Sequence, residues 1–176
     1  NGDLVHRMYL EITPGGNTAT NNPSAAGITD VELEIGGQRI DKQSGIWMET
    51  WSELTEPNTS GKTVEARATK VINEGTLFQN MSGMGGVVQA AVTLPKLFIP
   101  LYFWFCRNPG LALPLIALQY HEVKVILNHT FATAFSSALT SNALFCDYIY
   151  LDTDERRRFA QVSHEYLIEQ VQEQTL

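Results

Sequence analysis

At 176 residues the chain is long enough for one domain with a sizeable core. Charged residues make up 18% and apolar residues 44%, a balance that fits a subunit covering much of its outer surface with neighbours. A net charge of −7 and a pI near 5.0 argue against a nucleic-acid groove, which wants clustered Lys and Arg.

Neither a signal peptide nor a transmembrane helix is recognisable, and the chain starts without methionine, so its native N-terminus is expected elsewhere. Asp3 to Ile12 alternates, with Leu4, Met8, Leu10 and Ile12 on one face and Arg7 and Glu11 on the other. That pattern predicts a half-buried strand. Pro14 to Gly27 is rich in Gly, Asn, Thr, Ser and Pro and predicts an exposed loop. Val31 to Ile35 alternates strictly and predicts a strand, with Gly36-Gly37 as the turn after it. Ile46 to Leu54 predicts a short helix, because Trp47, Trp51 and Leu54 recur at i, i+4 and i+7, and Pro57 closes it. Val64 to Ile72 fits both periods and is assigned to a helix. Ser82 to Gly86 is a flexible link, and Val87 to Thr93 a short strand.

Leu97 to Leu127 organises the rest. Both faces of Leu97 to Cys106 are apolar, which predicts a strand covered on both sides. Asn108-Pro109-Gly110 carries a type II turn signature, since proline presets φ and glycine accepts φ > 0, and so predicts a chain reversal. Leu115 to Leu127 is the predicted return strand. Its apolar phase changes at His121-Glu122, where a bulge would restore the register.

Thr130 to Asn142 predicts a surface loop, and Phe145 to Leu151 the last strand, apolar on both faces apart from Asp147. Asp152 then caps a helix, with Glu155 completing a capping box and Arg156, Arg157 and Arg158 falling toward the negative helix end. Cys106 and Cys146 sit inside apolar patterns and read as two buried free thiols, a cross-strand disulfide being the alternative.

Spacing alone supports an antiparallel β-sandwich. Several pieces of the chain also resemble the major capsid proteins of nucleocytoplasmic large DNA viruses. They are Pro100-Leu101-Tyr102-Phe103-Trp104-Phe105, Arg107-Asn108-Pro109-Gly110, and the run from Leu113 through Gln119-Tyr120-His121-Glu122 to Lys124. Gly2-Asp3-Leu4-Val5, Ile35 to Asp41, and the tail from Asp147 to Val171 are similar too. The resemblance implies an all-β, antiparallel jelly-roll β-sandwich with short helices in its loops. In that family two jelly rolls stand in tandem, and three chains form a pseudo-hexagonal capsomer that tiles an icosahedral shell. Residues 1–160 would then be an N-terminal jelly roll lacking its first strands, because in the family further strands precede the Gly2-Asp3-Leu4-Val5 element. Residues 161–176 would be a linker toward a second roll.

The implied function is that of a structural capsid subunit and not an enzyme, needing no cofactor. Its partners would be two copies of itself in a homotrimer, neighbouring capsomers and minor capsid proteins, with no direct nucleic-acid contact and no membrane insertion. It would reside in the virion shell after assembly in the host cytoplasm. The alternatives are a jelly-roll carbohydrate-binding module stacking sugars on Trp47 or Trp51, and a minor or penton capsid protein with one roll.

Motifs for chemistry are weak. His6, His121, His129 and His164 are not spaced as His-x-His, and the adjacent pairs His121-Glu122 and His164-Glu165 would point to opposite faces of a strand. Neither His-Glu-x-x-His nor Gly-x-Ser-x-Gly occurs. Gly83-Met84-Gly85-Gly86 lacks the lysine of a phosphate loop. The sequons at Asn58, Asn80 and Asn128 read as incidental. The candidate contact residues are Arg156, Arg157 and Arg158, facing a neighbouring subunit or the following roll; a solvated helix end is the plainer reading.

Overall fold

A computed structural model describes residues 2–17, 20–59, 61, 64–65, 75–88, 96–174 and 176. The first strand, β1 (Leu4–Thr13), forms as the alternation requires, with Met8, Leu10 and Ile12 buried and Arg7 exposed. Glu11 is buried as well, and its carboxylate meets Lys96 Nζ at 2.7 Å. Pro23–Gly27 is a short buried helix, α1, so the stretch expected to be an exposed loop contributes Pro23, Ser24, Ala25 and Gly27 to the interior. Strand β2 (Ile28–Ile35) and strand β3 (Gln38–Ser44) form a hairpin. Its loop is Gly36-Gly37, with φ of 59° and 81°; left-handed geometry at both positions matches the twist of the flanking strands.

Helix α2 (Gly45–Thr55) is capped by Ser44, whose hydroxyl accepts from Trp47 N–H. Its buried residues are Gly45, Met48 and Ser52. The predicted tryptophan stripe is therefore the flank of the helix and not its core face: Trp47 and Trp51 are half-buried and Leu54 is exposed. Val64–Glu65 is a strand, β4, where a helix was expected; residues 66–72 of that assignment lie outside the described residues. Helix α3 (Leu77–Ser82) opens on a reciprocal capping box between Thr76 and Gln79. The glycine link after it is a buried turn, with Ser82 to Gly85 all buried, leading into β5 (Val87–Val88), which pairs parallel with β4. Residues 89–93 of the strand expected there lie outside the described residues.

The stretch from Leu97 departs from the expected hairpin. Strand β6 covers only Leu97–Pro100, followed by helix α4 (Trp104–Arg107), a 3₁₀ turn (Pro109–Leu111) and strand β7 (Leu113–Pro114). Strand β6 runs antiparallel to β1 from Ile12 to Tyr9, Leu101 N–H bonds to Met8 C=O, and β7 rejoins β1 at Val5 and Leu4. The chain thus keeps one direction along β1, and residues 102–112 are a hump looped out of a single interrupted strand. Gly110 does not take positive φ; Asn108 C=O accepts from Leu111 N–H and the Asn108 side chain from Gly110 N–H, which closes a 3₁₀ turn and not a type II turn. The expected burial holds, since Leu101 to Phe105 are all buried.

Residues 115–121 form turns, and strand β8 (Val123–His129) starts where the apolar phase changes. The change marks the end of a turn and not a bulge within a longer strand. Helix α5 (Phe131–Ala134) buries Phe131, Ala134 and the following Phe135, within a stretch expected to be surface loop. Strand β9 (Ser141–Ile149) pairs with β1, and helix α6 (Thr153–Gln161) follows, with the Asp152 carboxylate accepting from Glu155 N–H at 2.8 Å. The result is two antiparallel layers. Strand β1 is flanked by β9 on one edge and by β6 and β7 on the other, while β2 lies between β3 and β8.

Candidate functional site

No group of three or more metal-ligating side chains occurs among the described residues, and the feature that stands out is a surface. Gln43 of β3 donates to Tyr102 C=O just beyond β6, so the β3 and β6 edges share one flank of the sandwich. Strands β8 and β9 bound the opposite flank. There burial falls off sharply. On β2, Val31 and Leu33 are buried, while their partners Leu127 and Val125 on β8 are half-buried. On β1, Leu10 is 6% exposed, while Leu144 opposite it on β9 is 42% exposed. Phe145 is 50% exposed although it shares the outward face with Phe98, ring centroids 6.4 Å apart. Tyr148, Tyr150 and Ile126 are exposed too. Among the described residues each of these strands has one partner, β2 or β1, so each also presents unpaired backbone groups. Apolar side chains beside open ladders make a surface that another chain segment or subunit can complete.

The predicted contact residues lie beyond that flank on α6, and all three are exposed. Arg156 is engaged within the chain: its Nη2 meets Asp3 Oδ2 at 2.9 Å, and the same oxygen accepts from Leu151 N–H. The Arg156 guanidinium, then the Leu151 amide, hold the Asp3 carboxyl below its usual range. Arg157 lies 3.7 Å from Asp154, a solvated pair one helical turn apart. Arg158 sits in the last turn of α6. The three arginines are thus not brought together on one partner.

Trp47 and Trp51 contact each other at 5.0 Å, and the Arg107 guanidinium lies over the Trp51 ring at 4.3 Å. Trp51 lines a cleft of about 670 Å³ with Arg7, Phe78, Phe98 and Tyr102, but one of its faces is already covered by a cation. This is poor preparation for a sugar-stacking platform. The thiols of Cys106 and Cys146 are free, and burial pushes Cys106 up to about 12, which leaves it protonated and inert at neutral pH.

Sequence reasoning missed Glu49. It is half-buried on α2 and accepts from Gly85 N–H through both oxygens, at 3.0 and 3.2 Å. Burial first, then the charge of Glu53, raises it to about 7 against the pull of the Gly85 amide. Nearby, the Tyr102 hydroxyl is buried without a partner among the described residues, and burial raises its pKa, with Glu56 and Glu49 adding to the shift. No periodicity in the chain announces this cluster, because Glu49 reads as an ordinary polar helix position.

The class defined by these layers is an antiparallel jelly-roll β-sandwich. The chain matches the family described as "Major capsid protein N-terminus" over residues 1–154, and it belongs to that family. It is 50% identical to the major capsid protein of Pyramimonas orientalis virus over 98% of this chain and 43% of that protein. It is 40% identical to the major capsid protein of Paramecium bursaria Chlorella virus 1, over 98% of this chain and 39% of that one. Among solved structures it is similar to VP54 of the latter virus, fitted into a reconstruction of the virophage Sputnik. The TM-score is 0.75 at 39% identity, over 98% of this chain and 41% of that one. The chain thus spans about two-fifths of the length of the curated relatives it matches.

Proposed function

We propose that this chain is the N-terminal jelly roll of a double-jelly-roll major capsid protein and serves as a structural subunit of an icosahedral shell. In this reading residues 1–160 form the roll, residues 161–176 lead to a second roll, and three full chains form a pseudo-hexagonal capsomer. The observation that carries it is the half-buried flank of β8 and β9, in a chain whose relatives are more than twice as long. Further strands of the same protein, preceding the Gly2-Asp3-Leu4-Val5 element, would add one to each open edge. Residual apolar surface then meets neighbouring capsomers and minor capsid proteins, and many modest contacts sum through symmetry. Two properties bear on the expected partners. No described helix is long and apolar enough to cross a membrane, and the acidic balance opposes genome contact. In this reading the protein belongs to the virion shell, is assembled in the host cytoplasm and needs no cofactor.

The test is to express the complete reading frame and measure its mass in solution by light scattering. A trimer supports the proposal; a soluble monomer retained on a glycan resin would replace it with the carbohydrate-binding reading. Arg157→Glu in that trimer tests the contact residues. Loss of trimer supports a role for the α6 arginines in subunit contact, and an unchanged trimer removes it.

A further inference from the structure

We propose that the β-bulge at Ile40 is a docking site for the C-terminal strap, residues 162–174, and that Asp41 is a positioning residue that sets the direction in which the chain leaves the sandwich. In the β2–β3 ladder Leu33 faces Asp41 and Glu34 faces Arg39, so Ile40 is an extra residue with no partner on β2. A bulge of this kind bends its strand and re-aims the groups beside it. Two successive residues of the strap use it. Gln170 Nε2 donates to Ile40 C=O, and Val171 N–H donates to Asp41 Oδ1 at 3.0 Å.

Asp41 is 3% exposed, so its carboxylate is committed to the interior and depends on its donors. Lys42 N–H and Gln43 Nε2 supply two at 2.9 Å each, and the strap supplies another. Gln43 also holds Tyr102 C=O, so the anchor is continuous with the buried hump of residues 102–105. Upstream, the strap is steadied by the Arg107–Glu169 ion pair and by His164, which stacks on Phe159 at 4.7 Å while its Nε2 bonds Phe159 C=O. Strand β3 pairs with β2 alone among the described strands, so the strap meets an edge that is otherwise open. What the strap leads to rests on the proposed function; that it is docked does not.

The test uses the full-length chain carrying Gln170→Ala with Val171→Pro, which removes both donors without touching the sandwich. Hydrogen exchange of peptides within residues 162–174 is expected to quicken by at least about tenfold, with β2 and β3 unchanged. Small-angle scattering is expected to show a larger maximum dimension. Asp41→Ala should free the strap equally, and the double variant remains decisive if that protein does not fold. The docking is overturned if the wild-type strap exchanges like free peptide, or if the variant exchanges like wild type. Unchanged scattering overturns the claim about direction. Trimer mass read on the same samples separates the two proposals: trimers with an unprotected strap sink this one, and a protected strap without trimers sinks the other.

Discussion

Residues 102–105 and 144–148 are both dense in large apolar side chains, and the chain treats them oppositely. Phe103 and Phe105 are sealed, stacked at 5.7 Å, with Trp104 edge-on to Phe105 at 5.2 Å. Leu144, Phe145 and Tyr148 stand about half in water on β9. The hump is enclosed because it lies on the flank where β3, β6, α2 and the strap converge. Strand β9 lies on the opposite flank, where β1 is its one strand partner among the described residues. An apolar run therefore states that a segment needs cover; whether the same chain segment provides that cover is decided by where the run falls in the topology.

That contrast can be broken at four points. The largest effect is expected from Phe103→Ala, which should cost about 3–5 kcal/mol by leaving a cavity in a sealed site; a melting curve equal to wild type would show that the hump is not core. Gly36→Val should cost about 1–2 kcal/mol, because a branched residue must enter a left-handed turn with His121 Nδ1 2.9 Å from the new Cβ; chemical denaturation measures it.

Glu49→Gln probes the same flank by pH. The folded state raises this carboxyl to about 7 from an ordinary 4.5, so it binds a proton that the unfolded chain has already released. Stability from this group is full below the ordinary value, falls as pH rises through that window, and stays reduced above it. The variant should be flatter across that range and more stable at pH 8 by on the order of 1 kcal/mol, discounted for the part of the carboxylate still facing water. An unchanged pH slope would remove Glu49 from the account. The smallest effect, within about 0.5 kcal/mol, is expected for Phe145→Ser in residues 1–176, because that ring is already half in water. In the trimer proposed for the full-length protein the same change should weaken assembly. Equal, large losses for Phe103→Ala and Phe145→Ser in the short chain would erase the distinction.

Legibility followed the range of the interaction. Strand β1, strand β2 with the two-glycine turn after it and the Asp152 cap each depend on neighbours a few residues away, and each formed as read. The helix α2 was legible but its buried face was not, since Trp47 and Trp51 are large and apolar yet lie beside the contact made by Met48 and Ser52. The type II signature at Asn108 failed because the Asn108 side chain supplies a competing bond to Gly110. Arg156 could not be assigned a partner, because Asp3 is at the far end of the chain. The Asp41 anchor was invisible for the same reason, as its strap donor lies 130 residues away.

By itself the sequence determined which stretches alternate, where tight turns and caps fall, and how much apolar surface must be hidden, because those follow from the geometry of adjacent residues. Tertiary structure alone decided that residues 97–114 form one interrupted strand along β1, that Ile40 bulges to receive the strap, and that β8 and β9 remain half-covered. Those outcomes turn on pairings between distant segments, whose energies depend on burial and register that no local pattern contains.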